Sequence, residues 1–412
     1  MGSRRRGRRG AAAVTMAAVL AGVAGLTGAV PQAGAAGPAN GTARAGHSEH
    51  DRAVLEKAVL EKDVAAVRKA GGGKVKVLAQ AVDGDRSVRA RAGSGKSVPW
   101  DERARVASTT KTFTSVVALR LAAEKKLSLD DTVEKWLPGV VSGHGNDGSR
   151  ITVRDLLRQT SGLFDYVDDP EIGKLFQDFD KYRYDATPAK DYVAVAMRHK
   201  PLFTPEAGKT RWEYSNTNYL LLEMIIGKAG ELPWREQVEH RVIAPLGLRE
   251  TSVAGVNPFL PGPHPKITLP VNGEQLDVTD QSLPHTADSA VVSTTRDLNT
   301  FFRALMGGKL LPPAQLAEMK RTVERTDDPE DVAAWPEGGY GLGLRDVPLS
   351  CGGGYWHHEG DGIGSFTRTG VTEEGRRSVA VLITSDGSSP DQIRLNKATR
   401  RLVDHALCGA DG

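Results

Sequence analysis

Hydrophobic and polar positions alternate along this chain in ways that define its elements. Between Arg52 and Ala70, the residues Val54, Leu55, Val59, Leu60, Val64 and Val67 recur at helical spacing, and Gly71-Gly72-Gly73 ends the run, which predicts a helix with a sharp stop. Lys74 to Val82 then reads as a strand, Asp83-Gly84-Asp85 turns it, and Ser87 to Ala92 returns as the second arm of a hairpin. From Ser108 to Lys125 an apolar helical pattern carries Val116, Val117, Leu119 and Leu121. From about residue 130 to about 290 the chain is helix and loop, punctuated by Pro and Gly. Strand character comes back at Ser365–Val371 and Ser378–Thr384, around a turn at Glu373-Glu374-Gly375, and a last helix runs from about Gln392 to Leu407. Strands at both ends of a helical middle imply an α/β (α+β) fold. Its antiparallel sheet is formed by the N- and C-terminal segments and flanked by helices, with an all-helical lobe inserted between. The seam between two such lobes is a favoured place for ligands.

The first 35 residues fall outside this pattern. Arg4, Arg5, Arg6, Arg8 and Arg9 precede an apolar Ala/Val/Leu/Gly run from Ala11 to Val30, and Ala33-Gly34-Ala35 follows. A charged head, a greasy middle and a small-residue end read as a secretory signal peptide. The protein is therefore expected to be secreted, with residues 36–50 a disordered tail and 51–412 one folded domain. A membrane anchor is the competing reading, and the small residues after Val30 fit cleavage better. Arg8-Arg9 is a weak mark of twin-arginine export, given the Gly-Ala-Ala that follows. Removing this segment takes five of the 54 basic residues and no acid, leaving 49 against 51. The basic character belongs to the leader, and no case for nucleic acid or a membrane surface survives. Two cysteines remain, Cys351 and Cys408. In an exported chain they read as a disulfide, with two buried thiols as the alternative.

Three short stretches carry chemistry. In Ala107-Ser108-Thr109-Thr110-Lys111 a serine and a lysine three apart share one helical face. An amine whose proton affinity is lowered by burial can take the serine proton; the bland alternative is a capping serine and a solvated lysine. In Tyr214-Ser215-Asn216 a phenol can relay a proton, and the Asn amide can hold a substrate amide as donor and acceptor; alone, the stretch also reads as a loop capping the next helix. His357-His358-Glu359-Gly360-Asp361 looks at first like a metal nest. No His-Glu-x-x-His and no second spaced pair support that, so no metal is expected. A glycine at 360 suits close approach of a substrate backbone.

Order joins the three. Ser-x-x-Lys, Tyr-x-Asn and His-x-Gly each occur once, in that sequence. With Leu156–Leu163, Pro245–Leu248, Ser293–Leu298 and Tyr340–Arg345, they make the chain after residue 50 resemble the serine penicillin-recognising hydrolase superfamily. Within it, the likeness is to the class C β-lactamase-like branch of secreted D-alanyl-D-alanine carboxypeptidases and D-stereospecific peptidases. The resemblance implies Ser108 as nucleophile, Lys111 as its activator, Tyr214 as proton shuttle and Asn216 as a grip on the substrate amide. It implies His358 in the place of the third-motif cation, and an oxyanion hole from the backbone N–H groups of Ser108 and Asp361. It also implies no cofactor, peptides containing D-residues as substrates (peptidoglycan stem peptides among them), β-lactams as inhibitors, and a monomer.

One departure stands out. In the carboxypeptidase branch a basic residue, here Arg345, and two hydroxyl residues bind the substrate's terminal carboxylate. The hydroxyl positions here are Glu359 and Asp361. Either Glu359 pairs with Arg345 and the site no longer favours a free carboxylate, or these side chains point elsewhere. Competing expectations are a strict cell-wall carboxypeptidase or transpeptidase, a β-lactamase or esterase, and a muropeptide-binding protein without turnover.

Overall fold

The computed structural model describes residues 49–93, 99–271, 273–283, 285–324, 338–388 and 390–409. The signal-peptide reading and most of the tail lie outside them. The inserted middle segment is not all-helical as expected: it carries the short pairs Ser142–Gly143 with Asn146–Asp147 and Thr268–Val271 with Glu274–Asp277, and Ser252–Val253 joins Val291–Ser293 and Ala104–Arg105 in a small sheet. One larger antiparallel sheet organises the rest. From edge to edge run Val323–Glu324, Gly339–Tyr340, Arg345–Pro348, Gly354–His357, Ser365–Thr372, Arg377–Ser385, Val75–Asp83 and Arg86–Ala92, and Gly360–Asp361 pairs separately with Ser365–Thr372. The N- and C-terminal segments therefore meet inside the sheet, one strand in from its Arg86–Ala92 edge. Val75–Asp83 pairs with Arg377–Ser385 in unbroken register, from Val75↔Ser385 to Asp83↔Arg377.

The pleat sorts side chains to two cores, because neighbouring residues of a strand face opposite ways. Val379, Val381 and Ile383 join Val75, Val77 and Ala79 under two helices, Glu49–Ala70 through Leu60, Val64 and Val67, and Gln392–Cys408 through Leu395, Leu402 and Val403. Ala380 and Leu382 face the other way, into a larger core with Leu298, Phe301 and Phe302 and the helices of the middle segment. The interior of that core is the Thr110–Ala123 helix, whose apolar residues Phe113 to Leu119 and Leu121 are all buried. A helix apolar on every side is stable only when surrounded. Its polar groups are matched accordingly: Thr112 Oγ1 donates to Gly343 O at 2.8 Å and Thr114 Oγ1 to Ala287 O at 2.8 Å.

A disulfide joins Cys351 to Cys408, with a Cα–Cα distance of 5.8 Å. It ties the turn between Arg345–Pro348 and Gly354–His357 to the end of the last helix. A cross-link spanning 57 residues restricts the unfolded chain by about 4 kcal/mol in the loop-entropy account. Urea unfolding with and without reductant should show a loss of that order, and equal midpoints would contradict it. Among the described residues, no helix is long and apolar enough to cross a membrane.

Candidate active site

Ser108 sits in a single 3-10 turn, Ala107–Thr109, immediately before the buried helix. Ala107 takes φ 46°, a region that side chains with a Cβ seldom occupy, and such strain concentrates where a reactive group is presented. The turn is held from three sides. Val106 N donates to Val291 O at 2.9 Å, Ser365 Oγ donates to Arg105 O at 3.1 Å, and Thr109 Oγ1 donates to His358 O at 3.1 Å. Gly360 makes the last contact possible. A Cβ there would lie 2.0 Å from Val106 O, so this glycine permits close approach of the chain's own nucleophile turn.

Lys111 is fully buried. Its Nζ donates to Ser108 Oγ at 3.0 Å, to Asn216 Oδ1 at 2.7 Å and to the backbone carbonyl of Asp288 at 3.1 Å. Burial drives its pKa down to about 8; Asp288, Asp165 and Glu359 limit the fall and Arg345 adds to it. The Tyr214 phenol also hydrogen-bonds the Ser108 side chain, and burial pushes its pKa well above the usual phenol value. Two candidate bases thus touch one hydroxyl, and of the two only the amine gives up its proton within reach of neutral pH. For any reaction begun by Ser108, kcat/KM should rise with pH through about 8, falling roughly tenfold per pH unit below that limb. A flat profile between pH 6 and 9 would exclude Lys111 as base.

Asn216 has both ends of its amide engaged. Oδ1 faces Lys111, while Nδ2 and the backbone N–H donate to Asp165 Oδ2 at 2.8 and 3.0 Å. One Nδ2 hydrogen remains for a substrate. The loop carrying Tyr214 and Asn216 is fixed by Gln159, whose side-chain oxygen accepts from Ser215 N at 3.1 Å and from Asn218 Nδ2 at 2.5 Å.

At the third motif the structure departs from the expected cation. His358 is 0% exposed, and burial lowers its pKa to about 4; Glu359 opposes that change, while Arg345 and Lys111 reinforce it. Its Nδ1 lies 2.7 Å from the Glu359 carbonyl, which can only accept, so Nδ1 carries the proton. Nε2 then accepts from Tyr340 Oη at 3.0 Å. His358 is a neutral strut that brings its own carbonyl against the Ser108 turn.

Both acids of the motif are paired. Arg345 Nε lies 3.0 Å from Glu359 Oε1, with side-chain exposures of 2% and 12%, and the Arg345 guanidinium stands over the rings of Tyr340 and Trp212. Burial by itself would raise the Glu359 carboxyl; Arg345, His358 and His357 outweigh it and hold it well below the ordinary range. Asp361 turns to the buried Arg368, at 2.7 Å, and Arg368 is gripped in turn by Asn396. The pairing of Glu359 with Arg345 is the first of the two alternatives posed by the sequence. Among the described residues, no group of three or more His, Cys, Asp or Glu side chains is arranged to hold a metal ion.

Sequence reasoning missed Asp165, Gln159 and Asp288. Asp165 follows the quoted Leu156–Leu163 stretch by two residues, and only its buried contact with Asn216 reveals it. Asp288 meets Lys111 through a backbone carbonyl, a contribution no side-chain pattern announces.

Residues 55–404 match the Beta-lactamase family. A D-stereospecific amidohydrolase from Streptomyces sp. is 41% identical and superposes with a TM-score of 0.75, covering 83% of this chain and 98% of that one. The D-amino acid amidase from Ochrobactrum anthropi SV3, solved with L-phenylalanine amide, is 25% identical with a TM-score of 0.69, over 87% and 97% of the two chains. Penicillin-binding protein 4* of Bacillus subtilis is 33% identical over 150 residues, which is 36% of this chain and 30% of that protein. The match thus spans under a third of that curated relative's length.

Proposed function

The chain belongs to the Beta-lactamase family, and from that premise we propose that it is a serine hydrolase cleaving amide and ester bonds next to D-amino acids. The observation that carries the reading is one hydroxyl, Ser108 Oγ, held by a buried amine of lowered pKa and by a neutral phenol. The similarity to a D-stereospecific amidohydrolase along nearly its whole length supports the substrate class.

In this mechanism Ser108 Oγ attacks the scissile carbonyl carbon and its proton passes to Lys111 Nζ. The oxyanion is met by the backbone N–H groups of Ser108 and Asp361, where each such donor is worth about 3 kcal/mol in the transition state. The carbon–nitrogen or carbon–oxygen bond then breaks, Tyr214 Oη delivers a proton to the leaving group, and Lys111 restores the phenol. Water attacks the acyl-serine by the same route in reverse and frees the hydroxyl. Asn216 offers its remaining Nδ2 hydrogen to the acyl donor.

Glu359 sets the end group. With its carboxylate on Arg345, that cation is not offered to a substrate carboxylate. An amide, an ester or an otherwise capped end is favoured over the free acid, which separates this reading from a strict D-alanyl-D-alanine carboxypeptidase or transpeptidase. Stem peptides and β-lactams remain candidate ligands of the same cleft. The test compares kcat/KM for an acyl-D-Ala-D-Ala peptide, its C-terminal amide and the L,L amide. The D-configured amide should lead. A strong preference for the free acid would overturn the end-group assignment, and an L preference the substrate class. Residues 1–35 are proposed as an export leader; Edman sequencing of secreted protein starting at Met1 would contradict that.

A further inference from the structure

We propose that Asp165 is the positioning residue of the catalytic amine: its carboxylate fixes the Asn216 amide so that the Lys111 lone pair faces Ser108. The proposal rests on the reading of Ser108 and Lys111 as nucleophile and base.

Asp165 is 7% exposed. Its Oδ2 accepts from Asn216 N at 3.0 Å and from Asn216 Nδ2 at 2.8 Å, and its Oδ1 accepts from Val167 N at 3.2 Å. At the pH where the Lys111 amine is neutral, above the Asp165 pKa of about 7, this carboxylate is ionised and only accepts, so the face of the Asn216 amide turned toward it must be the NH2. A flipped amide would set Oδ1 against the carboxylate and Nδ2 against the amine. Seated correctly, Asn216 presents Oδ1 to Lys111 at 2.7 Å.

The consequence lies in counting hydrogens. A neutral amine has two N–H groups and one lone pair. Two of the three partners of Lys111 Nζ, Asn216 Oδ1 and the Asp288 carbonyl, accept only. They take both hydrogens, and the lone pair is left for the third partner, Ser108 Oγ at 3.0 Å. If the amide of Asn216 were reversed, its NH2 would claim that lone pair and the hydroxyl would lose its base.

Asp165 also acts through charge. Lys111 faces Asp288, Asp165 and Glu359, which favour the ammonium, and Arg345, which opposes it; the rings of Tyr214 and Tyr219 lie 5.0 and 5.4 Å from Nζ. Asp165 itself faces Asp168 and Lys111, and burial raises its pKa to about 7. Removing the carboxylate removes one support of the ammonium, so the amine loses its proton at lower pH.

The experiment follows the rate of Ser108 labelling by a fluorophosphonate across pH, which reads the amine without knowledge of the substrate. Asp165→Ala should slow labelling about 100-fold at its optimum, the scale of a misplaced catalytic group, and move the acid limb to lower pH. Asp165→Asn, able to offer one amide oxygen to Asn216, should recover part of the rate and keep the displaced limb. Adding Asp165→Ala to Asn216→Ala should cost less than about threefold, because both act through one amide. An unmoved limb in Asp165→Asn overturns the proposal, as does a full 100-fold loss in the Asn216→Ala background; Asp165→Asn carries the test if the alanine variant fails to fold. Wild-type protein that takes no label sinks the nucleophile reading itself. Labelled wild type with an indifferent Asp165→Asn sinks this inference alone.

Discussion

Lys111→Met lowers kcat by about 10⁴-fold on any substrate turned over by wild type, with KM changed little. That magnitude is the upper range for a positioned general base. It applies here because Tyr214, the other group on the Ser108 hydroxyl, holds its proton well above the pH at which Lys111 has lost its own. Methionine keeps the length of the stem and removes only the amine. A fall in kcat and kcat/KM together marks an interaction realised in the transition state. Steady-state kinetics would check it, and retention of more than a tenth of the activity would mean that another group takes the proton.

Glu359→Gln has the second large effect, and it shows twice. Breaking a buried ion pair leaves a charge without its partner, which costs about 3–5 kcal/mol. Arg345, at 2% exposure, keeps its other contacts when Glu359 is neutralised, so the urea midpoint should fall by less than that full cost. The pair's contribution also has a pH signature. Glu359 in the folded chain ionises below its unfolded value of 4.5. Its stabilisation is therefore complete above that value and is lost only as pH falls through the depressed folded value. The second effect is on selectivity. Two carboxylates about 5 Å apart at an effective dielectric near 20 repel by roughly 3 kcal/mol. Glu359→Gln should accordingly raise kcat/KM for the free-acid peptide relative to its amide by about 100-fold. An unchanged ratio would show that the Glu359 charge takes no part in end-group choice.

The fold was legible where periodicity is strict. The hairpin at residues 75–92, the paired strands near the C-terminus and the buried helix after Ser108 all declare themselves through alternation or an unbroken apolar face. The unbroken register between Val75–Asp83 and Arg377–Ser385 was not, since no local signal specifies a partner some 300 residues away. Ser108, Lys111 and Tyr214 could be found because side-chain chemistry at fixed spacing is written in the sequence. The charge of His358 could not. It depends on burial beside Arg345 and Lys111 and on the Tyr340 hydroxyl, and all of these arrive through the fold. Gly360 was noticed for close approach, and its neighbour in the fold, Val106 O, is one that no local pattern announces. The two acids of the third motif were recognised as a departure, and their partners became visible only with Arg345 and Arg368 in position.

The most direct measurement is the mass of the tryptic peptide Val106–Lys111 after rapid acid quench during turnover of a D-configured ester. The account predicts an acyl increment that fragmentation assigns to Ser108, absent from Ser108→Ala. Turnover continuing with that peptide unmodified, or with the acyl group on another residue, would contradict it.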